Sequence, residues 1–130
     1  MPWQSSAAHA GFSTAAPWLP VGPEHVALAV DRQEHDPDSQ LALTRRLLGL
    51  RRHSAALRLG SLRFLDAPAD FVVFERVSAE NRLLCAFNLG MTQRDWRPDV
   101  DHAWQIIEAV GGAKEWNLPA LSGLIARCPP

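Results

Sequence analysis

At Gly60 the chain changes its hydrophobic period. Before it, residues 36–53 carry Leu41, Leu43, Leu47, Leu48 and Leu50, and three of these (Leu43, Leu47, Leu50) fall at i, i+4 and i+7, the spacing of one helix face. After it, residues 61–67, 71–78 and 82–89 are short runs rich in Val, Phe and Leu, parted by Pro, Asp, Asn and Gly. Residues 92–96, 103–110 and 122–127 read as further strands. Several short strands at close spacing call for antiparallel pairing and a second layer to cover the apolar face. The expected fold is therefore mainly β: an antiparallel β-sandwich preceded by an irregular loop and one α-helix.

The helix expected over 36–53 has Asp36 as its cap, Pro37 at the first helical position and Asp38 at the positive end of the dipole. Leu41 and Leu48 widen the apolar face beyond one stripe, which suggests burial between two bodies. Arg45, Arg46, Arg51 and Arg52 lie elsewhere on the helix or near its carboxyl end, where cations are favoured. Residues 1–35 read as irregular, because Pro2, Gly11, Pro17, Pro20, Gly22 and Pro23 punctuate them too often for a long element. Yet they carry Trp3, Phe12, Trp18 and Leu19, so this segment should lie against something else. Long irregular segments of this kind are often functional.

Composition excludes several classes. A net charge of −1 gives no general footprint for nucleic acid or an anionic membrane surface. No apolar run approaches the roughly 18 residues of a membrane span, and the amino terminus lacks a basic segment followed by an apolar stretch. The expected partners thus include neither nucleic acid nor membrane, and the expected location is cytoplasmic. Cys85 and Cys128 match no metal or redox spacing, and Cys85 within Leu-Leu-Cys-Ala-Phe reads as a core residue. Tyr is absent and Trp occurs five times, so any aromatic stacking on a ligand falls to Trp and Phe.

The order of short motifs resembles one family. Met1-Pro2-Trp3-Gln4, Ala10-Gly11-Phe12-Ser13 and Pro17-Trp18-Leu19-Pro20-Val21 come first. The stretch from Val30 through Gln33 to Asp36-Pro37-Asp38-Ser39 follows, then Leu47-Leu48-Gly49-Leu50-Arg51, Ala56-Leu57-Arg58-Leu59-Gly60 and Phe87-Asn88-Leu89. Together they resemble the α-glucosidase and oligo-1,6-glucosidase group of glycoside hydrolase family 13, the α-amylase family. The likeness is dense from residue 1 to about 60 and looser to about 127.

The resemblance implies that residues 1–56 are the terminal loop and eighth helix of a (β/α)8 barrel, and residues 57–130 the β-sandwich that follows it. It implies an intact form that hydrolyses terminal α-glucosidic bonds of oligosaccharides with retention, using two carboxyl groups that flank the scissile bond. In the family those carboxylates come from earlier barrel strands, whose motifs are not in this sequence. The chain as it stands is therefore expected to be non-catalytic, with no catalytic residue and no cofactor. Met1 coincides with an internal methionine of the family loop, consistent with a fragment.

The loop would border the sugar cleft at the carboxyl-terminal face of the barrel. That makes Trp3, Phe12 and Trp18 the candidate substrate-binding residues, in the intact enzyme only; the competing role is to anchor the loop. The family motif carries an Asp after Met-Gln-Trp, whereas this chain reads Pro2-Trp3-Gln4-Ser5. The expected partners are the missing barrel domain, or a second copy held through helix 36–53, with oligosaccharide bound only by the intact enzyme. The alternative is an independent β-sandwich interaction or carbohydrate-binding module.

Other constellations carry less. His25, Glu34, His35, Asp36 and Asp38 fit no tight metal spacing. Glu34, Asp36 and Asp38 are accounted for by the helix start. Ser39, His53 and Asp66 lack the strand–turn–helix elbow of a nucleophilic serine.

Overall fold

The computed structural model describes residues 1–98 and 103–128. The chain divides into two compact units, Met1–Leu50 and Arg51–Pro130. Among the described residues, no helix is long and apolar enough to cross a membrane.

The first unit is built from turns and short helices. A 3-10 turn (Ala8–Gly11), α1 (Pro23–Ala27) and α2 (Val30–Gln33) punctuate the stretch expected to be irregular. Pro23 opens α1 at the first helical position, where its missing N–H costs nothing. The helix expected over 36–53 is α3 (Gln40–His53), and it starts four residues late. Asp36 does not cap it. Its Oδ1 accepts from the Asp38 N–H at 2.9 Å, closing a local turn that leaves Pro37 outside the helix. Ser39 takes the cap instead, its Oγ accepting from the Ala42 N–H at 3.2 Å. The Gln33 side chain supplies a second acceptor, Oε1, to the Leu41 N–H at 3.0 Å, while its Nε2 donates to the Leu28 carbonyl at 2.6 Å. No residue of α3 is buried, and Leu48 is 61% exposed.

In the second unit the end of α3 is followed by α4 (Ala55–Leu59), capped by Ser54 Oγ, which accepts from the Leu57 N–H. Five antiparallel strands follow as one sheet in the order β1-β2-β3-β7-β5: β1 Ser61–Asp66, β2 Phe71–Val77, β3 Arg82–Asn88, β5 Gln105–Val110 and β7 Ser122–Cys128. A two-stranded ribbon, β4 (Arg94–Asp95) with β6 (Asn117–Leu118), makes the second layer. The antiparallel sandwich is thus present, with β6 the one strand that sequence pattern did not anticipate.

The core lies between these layers. Phe71, Val73, Leu84, Ala86, Leu124 and Ala126 project from one face of the sheet and pack with Leu118, and Trp96, Trp104 and Trp116 close the margin. Strand β2 shows the alternation plainly: Phe71, Val73 and Glu75 are buried while Val72, Phe74 and Arg76 are not. Helix α4 lies against β2 and β3. Strand β3 is buried on both faces from Leu83 to Ala86. Burial pushes the Cys85 thiol up to about 11, which suits an inert core residue. Gly60 is required where α4 meets the sheet. A Cβ there would stand 2.5 Å from the Ala56 carbonyl oxygen and 2.7 Å from that of Val77.

Candidate functional site

The tryptophan loop is held by backbone pairing to α2. The Trp3 N–H donates to the Ala10 carbonyl at 2.8 Å, and the Trp3 carbonyl accepts from the Asp31 N–H at 3.1 Å. Gln4 N–H reaches the same Ala10 carbonyl, and Val30 N–H reaches Pro2. This close return is possible because His9 and Ala10 both adopt left-handed backbone, at φ 52°. Asp31 clips the loop from the other side. Its Oδ2 accepts from the Ser5 N–H at 2.8 Å and the Ser5 hydroxyl at 3.0 Å. The Ser5 amide, the largest contributor, outweighs partial desolvation and holds the Asp31 carboxyl below its ordinary value. Ser5 thus donates twice to the acid of α2.

The three candidate aromatic residues sit on this scaffold with their rings open to solvent. Trp3 is 49% exposed, Phe12 42% and Trp18 91%. Among the described residues, none of them touches another aromatic ring. Phe12 borders a shallow depression with Gly11, Ser13 and Thr14. The loop backbone is therefore ordered by hydrogen bonds, while the aromatic faces are left presentable, Trp18 most of all.

The acidic residues weighed from sequence are engaged locally. Glu34 pairs with Arg45 at 2.9 Å, Asp36 closes its turn, and the His35 ring nitrogen lies 2.7 Å from the Asp31 carbonyl. Ser39 is a helix cap in the first unit, whereas Asp66 ends β1 in the second. Among the described residues, no group of three His, Cys, Asp or Glu side chains could hold a metal ion.

A second place of chemical interest lies in the sandwich. Glu75 projects inward from β2 and is 2% exposed. Arg63, directly opposite on β1, donates to its Oε2 from Nη2 at 2.8 Å and from Nε at 3.3 Å. Arg82, diagonal on β3, donates to Oε1 at 2.5 Å, and its guanidinium lies 5.8 Å from the Trp104 ring centre. Both carboxylate oxygens are thus taken by cations. The group borders a cleft of about 360 Å³ that Leu65, Asp66, Trp96 and Arg97 also line. The sequence reading missed this group. Its signal was available: a Glu two positions beyond Val73 in an alternating strand must face the core, and a buried carboxylate demands cations.

One further buried side chain organises the motif Phe87-Asn88-Leu89. Asn88 is fully buried. Its Nδ2 donates to the carbonyls of Thr92, Leu118 and Pro119 at 2.8, 3.0 and 2.8 Å, and its Oδ1 accepts from the Gly90 N–H at 3.0 Å. It ties the end of β3 to the start of the second layer, and is a structural residue.

Comparison with known proteins agrees with the motif order. The family model described as "Alpha amylase, catalytic domain" matches residues 1–60. A Rhizobium meliloti protein named "Probable alpha-glucosidase" is 37% identical over 90 residues, 69% of this chain and 16% of that one. A Bacillus subtilis protein named "Probable oligo-1,6-glucosidase 2" is 37% identical over 95 residues, 72% of this chain and 17% of the other. The chain spans about a sixth of the length of these curated relatives. Among solved structures, a mutant of the trehalulose synthase MutB of Pseudomonas mesoacidophila matches with a TM-score of 0.85 at 27% identity, over 97% of this chain and 24% of that one. With the ordered motifs and the antiparallel sandwich already in hand, these likenesses show that the chain belongs to the α-amylase family of glycoside hydrolases, family 13.

Proposed function

We propose that this chain is the carboxyl-terminal part of an α-glucosidase that cleaves terminal α-glucosidic bonds of oligosaccharides with retention. It contributes a substrate-side loop, a barrel helix and the accessory sandwich, and is not catalytic by itself. The observation that carries the reading is the 37% identity to an α-glucosidase-type protein combined with a span of only 16% of its length. The chemistry supports it. Retention needs two carboxyl groups about 5–5.5 Å apart, one free to attack and one to donate a proton. Glu75, the buried carboxylate of the sandwich cleft, is neutralised by two arginines instead.

In the intact enzyme Trp3, Phe12 and Trp18 border the sugar cleft, where an exposed indole face packs against a pyranose ring. Helix α3, which has no buried residue, takes the barrel as its partner. Without the barrel, the same face draws two copies of the chain together.

The test is a chimera in which this chain replaces the matching last sixth of the Rhizobium meliloti relative. The isolated chain is expected to leave an aryl α-glucoside uncleaved, and the chimera to cleave it. Trp18→Ala in the chimera raises KM more than it lowers kcat. Turnover by the isolated chain, or a folded chimera without activity, overturns the reading.

A further inference from the structure

We propose that the cleft in the sandwich, bordered by Arg63, Asp66, Glu75, Arg82, Trp96 and Arg97, binds a neutral oligosaccharide at a site of its own, apart from the tryptophan loop. The size is right: about 360 Å³ falls in the range of ligand pockets. The chemistry is that of a polyhydroxyl site rather than an anion site. Three arginines meet two carboxylates, so donors and acceptors are both present and the surplus of charge is small. A sugar hydroxyl is donor and acceptor at once, and uses such a mixed lining fully.

The cleft is built, not incidental. Glu75, 2% exposed, holds Arg63 and Arg82 from behind through three charge-assisted hydrogen bonds. The guanidinium groups are therefore fixed before any ligand arrives, which reduces the entropy lost on binding. The outer rim is unspent. Among the described residues, Asp66 and Arg97 carry no side-chain hydrogen bond or ion pair, and both are exposed. Trp96 is half-buried, its ring 6.2 Å from that of Trp116, so one flank is supported by the core while the residue still lines the cleft. An indole backed in this way gives an apolar surface for the C–H face of a pyranose.

The test uses the 130-residue chain titrated with maltose and with isomaltose, followed by calorimetry and by tryptophan fluorescence. Saturable binding of at least one sugar is expected. Asp66→Ala and Arg97→Ala remove exposed side chains without internal partners, so thermal unfolding stays at the wild-type temperature. Each is expected to weaken binding by about tenfold, the usual loss for a hydrogen bond to a charged group. Trp18→Ala is expected to leave this binding unchanged. No binding of either sugar overturns the proposal. So does binding that Trp18→Ala abolishes while Asp66→Ala and Arg97→Ala do not, because it places the sugar on the loop. Inorganic phosphate that binds and displaces the sugar makes the cleft an anion site and also overturns it.

Discussion

Replacing Asn88 tests the account of how the sandwich is joined. Its carboxamide spends two N–H groups on three carbonyls and its oxygen on the Gly90 N–H, and the bonds to Leu118 and Gly90 are fully buried. In Asn88→Ala the Pro119 carbonyl keeps a partner, the Ser122 hydroxyl at 2.7 Å. The Leu118 carbonyl keeps the Arg94 N–H across the β4–β6 pair, so the Gly90 amide is the buried group left without its side-chain partner. A buried group left unsatisfied costs about 1–3 kcal/mol, so the variant loses about 2 kcal/mol. That is an appreciable share of the roughly 5–15 kcal/mol that holds a small domain together. With a urea slope of about 1–1.5 kcal/mol/M, the midpoint falls by about 1.5 M. Asn88→Asp sharpens the test because it keeps the shape and the acceptor for Gly90 but turns an oxygen toward three carbonyls. Their field raises the folded-state pKa of the new acid above its unfolded value of about 3.9. The penalty is then complete at neutral pH, above the raised folded value, and disappears as pH falls below the unfolded one. Urea titrations followed by tryptophan fluorescence at pH 7 and pH 4 read both effects. Wild-type stability in the Asp variant at pH 7, or an Ala variant within about 0.5 kcal/mol of wild type, would refute the reasoning, since neither fits the loss of a buried partner.

Two further outcomes follow from the first unit. Leu48→Glu places a charge where α3 exposes 61% of a leucine, and is expected to abolish self-association of the chain in sedimentation. At about 2 kcal/mol per leucine, a two-fold symmetric contact loses roughly a thousandfold in affinity, and a wild-type chain that stays monomeric at high concentration removes the premise. The Asp31 clip on Ser5 gives a pH signature. Because the folded carboxyl is held below its free value of 3.8, mainly by the Ser5 amide, the clip is intact above that value. It is lost as pH falls through the lowered folded one. The Ser5 amide shift should report a midpoint below 3.8, and Ser5→Ala, which removes the hydroxyl donor and keeps the amide, should move the midpoint upward. A wild-type midpoint at or above 3.8 contradicts the clip.

Strands were legible wherever the pattern was long. β2 alternates through Phe71, Val73 and Glu75, and β3 and β7 each run seven residues, so period and composition agree. β6 has two residues and exists because Asn117 and Leu118 pair with Arg94 and Asp95, a long-range arrangement with no local period. The start of α3 was misplaced for a physical reason. Asp36-Pro37-Asp38 satisfies every local rule for a helix opening, but the Asp36 carboxylate finds the Asp38 amide first. The tertiary acceptor from Gln33 then rewards a start at Gln40. Gln33 belongs to the same motif, yet its part becomes visible only when α2 and α3 lie side by side.

The same contrast separates the two sites. Trp3, Phe12 and Trp18 became candidates through the family resemblance, which puts their loop beside a sugar cleft, and the structure leaves them exposed. The Glu75 group was overlooked because a lone charge in a strand reads as a solvated face. Alternation contradicts that reading: with Phe71 and Val73 inward, Glu75 is inward too, and its burial at 2% is tolerable only because Arg63 and Arg82 arrive from both neighbouring strands. Replacing either arginine alone would leave a buried carboxylate half-compensated, which is costlier than replacing the whole triad by apolar residues. A fold that needed only stability would be served by that apolar alternative. The retained charges keep two guanidinium groups fixed at the edge of a cleft, and fixed donors beside an indole are what a sugar site requires.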